Sequence, residues 1–175
     1  FKMGGLGRRG PVELFWIFLA GAACLSGLPL TGGFFSKDGI LLALFTHPDP
    51  LYRVFWLVGI VTALLTAFYT FRLVYLVFSG DYRGKGHLHT IPLLMRGRLA
   101  LALLGMVGGL LNLPAFVGGS EALHHWYGAL AGRAVAASHD VEWMLVGLAV
   151  AIAAVGWFAA HRRYRVYHAP LDNAV

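Results

Sequence analysis

Four long apolar stretches, separated by short polar, basic or proline-bearing segments, set the pattern of this chain: 14 to 46, 54 to 79, about 97 to 117 and about 141 to 160. Each can supply the roughly 20 helical residues that cross the hydrocarbon core of a bilayer. The runs are continuous in Leu, Val, Ala, Phe and Gly. They lack the alternation of lipid-facing and lumen-facing residues that a membrane barrel requires. The pattern predicts an all-α, polytopic membrane protein with about four transmembrane helices. No internal repeat or low-complexity tract interrupts it.

The first stretch carries its own interruption, "SGLPLTGG". Pro29 removes a backbone donor and disfavours helical geometry at Leu28, while Gly27, Gly32 and Gly33 admit dihedrals closed to other residues. A continuous helix over 14 to 46 would run about 50 Å, well beyond a core of about 30 Å. The first helix is therefore expected to be discontinuous, broken near 28–33. Irregular backbone at membrane depth is tolerated only where protein buries it or it lines a wet cavity. Ahead of the break, Pro11 suits the first turn of a helix, and Phe15 and Trp16 suit an interfacial aromatic belt. Beyond it, "THPDP" makes a short turn into a single long helix over 52–79.

Composition agrees: 58% of the 175 residues are hydrophobic and 13% charged, against roughly 25% charged in soluble domains. Ten of the fourteen basic residues fall in three segments that four passes place on one side. These are Lys2, Arg8 and Arg9; Arg83, Lys85, Arg96 and Arg98; and Arg162, Arg163 and Arg165. By the positive-inside rule both ends of the segment face the cytoplasm. The charge of +6 thus belongs to membrane flanks and gives no reason to expect nucleic acid. Ala, Gly and Arg usage leans toward a bacterial inner (plasma) membrane over an organellar one. The first span does not read as a signal peptide, and Phe1 reads as an internal residue of a longer chain. The single cysteine, Cys24, allows no internal disulfide.

Lys37 is the sharpest candidate for chemistry. It lies about nine residues, roughly 13 Å of helix, from Thr46, which puts it near mid-membrane. A charged lysine there costs about 2.5 to 3.5 kcal/mol even on lenient scales, so it is expected to face a bundle interior or an aqueous path. Desolvation favours the neutral amine and a nearby carboxylate the charged form, which is the balance a proton relay needs. The competing reading is a structural ion pair with another helix. Asp38 points about 100° away around the helix and is expected either to serve the relay or to bind a different helix or the freed backbone of the break. Thr62, Thr66 and Thr70, with Tyr69 adjacent, recur on one helical face and could line a water path; alternatively their hydroxyls bond to their own turn. Arg72 marks the entrance of such a path or reaches for the interface. His87 with His89, and His124 with His125, lack both cysteines and the i, i+4 spacing of helical zinc sites, so they read as solvated loop residues and no metal is expected.

Three segments, "MGGL" (3 to 6), "GLPLTGGFFSKDGIL" (27 to 41) and "YTFRLVYLVFSG" (69 to 80), resemble the antiporter-like membrane subunits of respiratory complex I, subunit L above all. That family is shared with the large subunit of multisubunit Na+(K+)/H+ antiporters. The resemblance is concentrated in residues 1 to 80 and mainly hydropathic beyond. It implies that 1–80 end the second of two inverted repeats, that 81–175 add two further transmembrane helices, and that the chain is a C-terminal fragment. It also implies that Lys37 is the proton-exchanging lysine and that Pro29 and Gly32 belong to the break. The chain would be a proton-translocating subunit of NADH:quinone oxidoreductase without a redox site of its own. NADH, FMN, iron-sulfur clusters and quinone would then sit in partner subunits, and its neighbours would be the other membrane subunits, especially the adjacent antiporter-like one. Gly39 departs from the larger or acidic residue expected after "S-K-D". A membrane scaffold whose lysine only makes an ion pair is the reading without transport.

Overall fold

The computed structural model describes residues 4–29, 31–82, 93–108 and 138–165, of which residue 9 and residues 93–99 are described by their backbone alone. Regular structure among the described residues is entirely helical: α1 (Leu6–Arg9), α2 (Val12–Ser26), α3 (Gly32–Thr46), α4 (Leu51–Phe78), α5 (Leu93–Val107) and α6 (His139–Tyr164). The four loop histidines, His87, His89, His124 and His125, lie outside the described residues, as does the expected third span beyond residue 108.

Helices α4 and α6 are the full spans, with 28 and 26 residues, about 42 and 39 Å long. Their most apolar windows are only 17% and 22% buried, whereas the core helix of a soluble protein would be mostly covered. Val54, Leu57, Val58, Val61 and Leu65 of α4 stand exposed, as do Met144, Val155 and Phe158 of α6. Exposed apolar surface on this scale suits a lipid solvent. Helices α2 and α3, with 15 residues each, are about 22 Å long and too short to cross alone. They share one crossing, divided at 27–31.

The short turn at 47–50 folds α4 back antiparallel to α3. Leu51 N–H donates to Asp49 Oδ1 at 2.9 Å, and His47 stacks on Tyr52 with ring centroids 3.5 Å apart. The pairing then runs down both helices through Phe45 on Trp56 and Leu41 against Gly59. Helix α2 packs antiparallel to the far end of α4, where Phe15 and Phe18 meet Phe78 edge-on at 5.2 and 5.4 Å. The buried cluster Ala22, Phe71, Val74, Phe78 and Ala160 joins α2, α4 and α6.

The most extensive interface lies between α4 and α6, which run parallel: Gly156 meets Ala67 and, further along both helices, His161 meets Tyr75. Its seam is small: Ala67 and Ala160 are 0% exposed, and Ala153 and Gly156 are buried. A Cβ on Gly156 would lie 2.7 Å from Ala67 Cβ and 3.0 Å from the Leu64 carbonyl oxygen. Apolar lipid provides little hydrophobic drive between helices, so close backbone approach through small residues supplies the contact.

Two expectations change in detail. Helix α5 begins at Leu93, so Arg96 and Arg98 lie within the helix and not in the loop before it. Gly32 and Gly33 are helical; among the described residues positive φ occurs only at Gly5, Gly27 and Gly80. Gly33 is required for packing instead, because a Cβ there would fall 1.9 Å from the Cys24 carbonyl oxygen.

Candidate functional site

The break is built by a glycine-terminated helix end. Gly27 takes φ 75 and ψ 47, its N–H reaches the Cys24 carbonyl at 3.2 Å, and Leu28 N–H reaches the Ala23 carbonyl at 3.0 Å. This is the paired arrangement of a Schellman motif. Pro29 follows, and Thr31 restarts the chain by donating both N–H and hydroxyl to the Leu28 carbonyl, at 3.2 and 2.7 Å. Glycine at 33 then lets the first turn of α3 lie directly against the last turn of α2.

The motif satisfies the Ala23 and Cys24 carbonyls but leaves the next one, on Leu25, without a backbone donor. Lys37, in the second turn of α3, fills that role: its Nζ donates to the Leu25 carbonyl oxygen at 2.5 Å across twelve residues of chain. An ammonium group suits this position, because the C-terminus of α2 carries the negative end of the helix dipole. Among the described residues Lys37 meets no carboxylate, so the ion-pair reading finds no partner here. The half-buried side chain also lines a cavity of about 20 Å³ with Gly27, Ala63 of α4, and Ala149 and Ala153 of α6. Such a space admits about one water molecule. Lys37 therefore has two surroundings within reach, a helix-end carbonyl and a small cavity bounded by the end of α2 and by α3, α4 and α6.

Asp38 turns away from Lys37 and is buried at 8% exposure, with Oδ1 meeting no hydrogen-bond partner among the described residues. It does not cap the break. Its electrostatic neighbour is Glu142, in the first turn of α6.

The threonine face divides. Thr62 Oγ1 donates to the Val58 carbonyl at 2.8 Å and Thr66 Oγ1 to the Thr62 carbonyl at 2.7 Å, so both hydroxyls are engaged within their own helix. Tyr69 is 50% exposed, while Thr70 is buried and its Oγ1 lacks a partner among the described residues. Only Ala63 represents α4 in the lining of the Lys37 cavity, so these four residues do not assemble around the lysine. Arg72 is half-buried and reaches α6, its guanidinium 5.4 Å from the centre of the Tyr164 ring.

Three features had escaped sequence reading. The Leu25 carbonyl is backbone and carries no side-chain signal. Tyr75 Oη and His161 Nδ1 lie 2.9 Å apart, linking α4 to α6 across 86 residues. Glu142, in the first turn of α6, is the third. A tyrosine inside one apolar run, and a glutamate and a histidine at the two ends of another, were the available signals.

The fold and this site define a class: polytopic helical membrane proteins with a broken helix and a lysine at the break. The NADH:quinone oxidoreductase/Mrp antiporter transmembrane family matches residues 1–66, which contain the break and Lys37. The chain belongs to this antiporter-like family. It is 38% identical over 138 residues to NADH-quinone oxidoreductase subunit L of Pseudomonas aeruginosa, covering 71% of this chain and 21% of that protein. To the subunit L of Escherichia coli K12 it is 41% identical over 120 residues, 65% of this chain and 18% of that protein. To NAD(P)H-quinone oxidoreductase chain 5 of Picosynechococcus it is 33% identical over 183 residues, 85% of this chain and 26% of that protein. Similarity therefore extends well past residue 80, further than the motifs alone indicated. The chain spans about a fifth to a quarter of the length of these relatives.

Proposed function

We propose that this chain is part of a proton-translocating membrane subunit of NADH:quinone oxidoreductase, and that Lys37 exchanges a proton at the break in its first transmembrane helix. The observation that carries the proposal is the bond from Lys37 Nζ to the Leu25 carbonyl beside a water-sized cavity. Protonated Lys37 is held by the negative end of α2. Neutral Lys37 loses that charge–dipole attraction and is released toward the cavity, so proton loss and side-chain movement are coupled. Placing Lys37 near mid-membrane makes the cost of its charge sensitive to nearby charges, as a relay requires.

Asp38, buried beside it toward Glu142, supplies a carboxylate to the same path on the side of the 47–50 turn. In this reading the basic ends of α4 and α6 face the cytoplasm of a bacterium, following the positive-inside rule. Residues 1–80 end the second antiporter-like repeat, and the helices after them pack against it. The redox groups, NADH, FMN, iron-sulfur clusters and quinone, belong to other subunits, and the adjacent antiporter-like subunit is the main protein neighbour. The names of the relatives support an oxidoreductase subunit. The shared family description keeps a cation/proton antiporter as the alternative.

Two substitutions in the full-length protein test the assignment. Lys37→Ala should abolish proton pumping coupled to NADH oxidation while the assembly persists. Loss of Na+-dependent exchange instead would establish the antiporter, and intact transport in both assays would leave a scaffold. Lys37→Arg keeps a cation for the Leu25 carbonyl but does not release its proton at ordinary pH. It should also stop pumping, and full pumping by this variant would overturn a proton-exchanging role for Lys37.

A further inference from the structure

At the basic end of the bundle, the short helix α1 is fastened onto the end of α4. Gly5 N–H donates to the Ser79 carbonyl at 3.2 Å, and a Cβ on Gly7 would lie 2.8 Å from the Phe78 carbonyl oxygen. Gly5 has φ 67, and a Cβ there would strike the Tyr82 backbone nitrogen at 2.4 Å. Glycines thus bring α1 close enough to set Arg8 at the mouth of a cavity shared with Arg165, just past the end of α6. Phe15 and Phe78 form the apolar part of its lining, and the volume is about 380 Å³.

The charge at this cavity is one-sided. Among the described residues no acidic residue lines it; Asp81 lines an adjoining cavity that shares Arg8 and Gly80 with this one. Arg8 and Arg165 make no ion pair with the described residues, and both are exposed. Two arginines lining one space give it a positive potential, and each guanidinium offers the forked donors that suit a phosphate. The cavity sits where α4 and α6 leave the apolar region, with aromatic rings toward the bundle and cations toward the flank. That ordering of apolar floor and cationic mouth matches the glycerol backbone and phosphate of a membrane lipid.

We infer that the cavity between α1, α2 and the ends of α4 and α6 binds the headgroup phosphate of an anionic phospholipid, held by Arg8 and Arg165. The site is separate from Lys37 and does not depend on the direction or identity of the transported ion. An inorganic phosphate shares the anionic chemistry, but it has no use for the Phe15 and Phe78 floor.

The test uses the full-length protein in its native membrane assembly, purified in mild detergent, with retained phospholipids counted by native mass spectrometry and phosphatidylglycerol titrated against phosphatidylcholine. Arg8→Gln or Arg165→Gln should weaken phosphatidylglycerol binding roughly fivefold each, and the double variant roughly twentyfold or more, with assembly unchanged. The pair Arg162→Gln and Arg163→Gln removes two charges from the same helix end but not from the cavity, and should leave the tight phosphatidylglycerol in place. Equal retention by wild type and the Arg8/Arg165 double variant would overturn the site. Equal loss in the Arg162/Arg163 control would reduce it to diffuse surface charge. Displacement of the lipid by millimolar inorganic phosphate would reassign the cavity to a free anion.

Discussion

Lys37 and Gly27 act as a pair at the residue scale. Gly27 ends α2 with a left-handed turn that an alanine or larger apolar residue adopts only with strain, and the turn exposes the carbonyl that Lys37 takes up. A Cβ on Gly27 would also press on Lys37, 3.3 Å from its Cδ. Gly27→Ala should therefore destabilise the assembled protein by about 1–2 kcal/mol, read as a lower midpoint of thermal unfolding of the purified assembly. Its effect on pumping should exceed its effect on stability, because the methyl group lies in the path of the lysine. Gly39 is the internal comparison: a Cβ there meets nothing within 4 Å, and Gly39→Ala should leave pumping unchanged and the midpoint unchanged or slightly raised. Equal sensitivity at the two glycines would refute the assignment of Gly27 to the lysine site.

At the scale of elements, the α4–α6 seam joins the helix that faces Lys37 to the helix that carries Glu142. Substituting Gly156 with Val forces backbone apart, since even a Cβ would approach Ala67 Cβ to 2.7 Å; overpacking of this kind costs about 1–3 kcal/mol or more. Gly147 on the same helix has open space around it, so Gly147→Ala should be neutral or mildly stabilising, by up to about 1 kcal/mol. Near the basic end, Tyr75→Phe removes the hydrogen bond to His161 without changing shape. Its cost should be about 0.5–1.5 kcal/mol, measurable as a lower denaturation midpoint, and pumping should survive because no lysine contact is touched. Collapse of pumping in this variant would instead draw Tyr75 and His161 into the proton path.

For the whole molecule, the prediction concerns orientation. The 47–50 turn and the segment after α4 lie at opposite ends of α4. Asp49→Cys should react with a membrane-impermeant thiol reagent added to intact bacterial cells, whereas Asp81→Cys should react only after the membrane is opened. Cys24 lies within the bundle at intermediate exposure and serves as the background. Reversal of the two patterns would invert the charge rule on which the cytoplasmic placement of the basic end rests.

Spans, break and basic flanks were legible in the sequence because each rests on local chemistry. Apolar length is set by bilayer thickness, and Pro29 with its glycines opposes a continuous helix whatever surrounds it. The singular position of Lys37 was legible for the same reason, since a charge in apolar chain demands a partner. Which partner it takes was decided only in three dimensions: a backbone carbonyl twelve residues away, freed by a Schellman turn, carries no mark in a list of side chains. The threonine face left a water path and bonds within its own turn open, because periodicity assigns residues to a common face but not to a neighbour; Thr62 and Thr66 take the second. Packing through Ala67, Ala153, Gly156 and Ala160 decided that alanines, and not Thr62 or Thr66, stand opposite the lysine. The sequence by itself determined where the chain crosses, where it breaks and where charge is costly, all of which follow from local transfer energies. Tertiary structure decided what meets what, because contacts between α2, α3, α4 and α6 depend on shape complementarity between segments far apart in the chain.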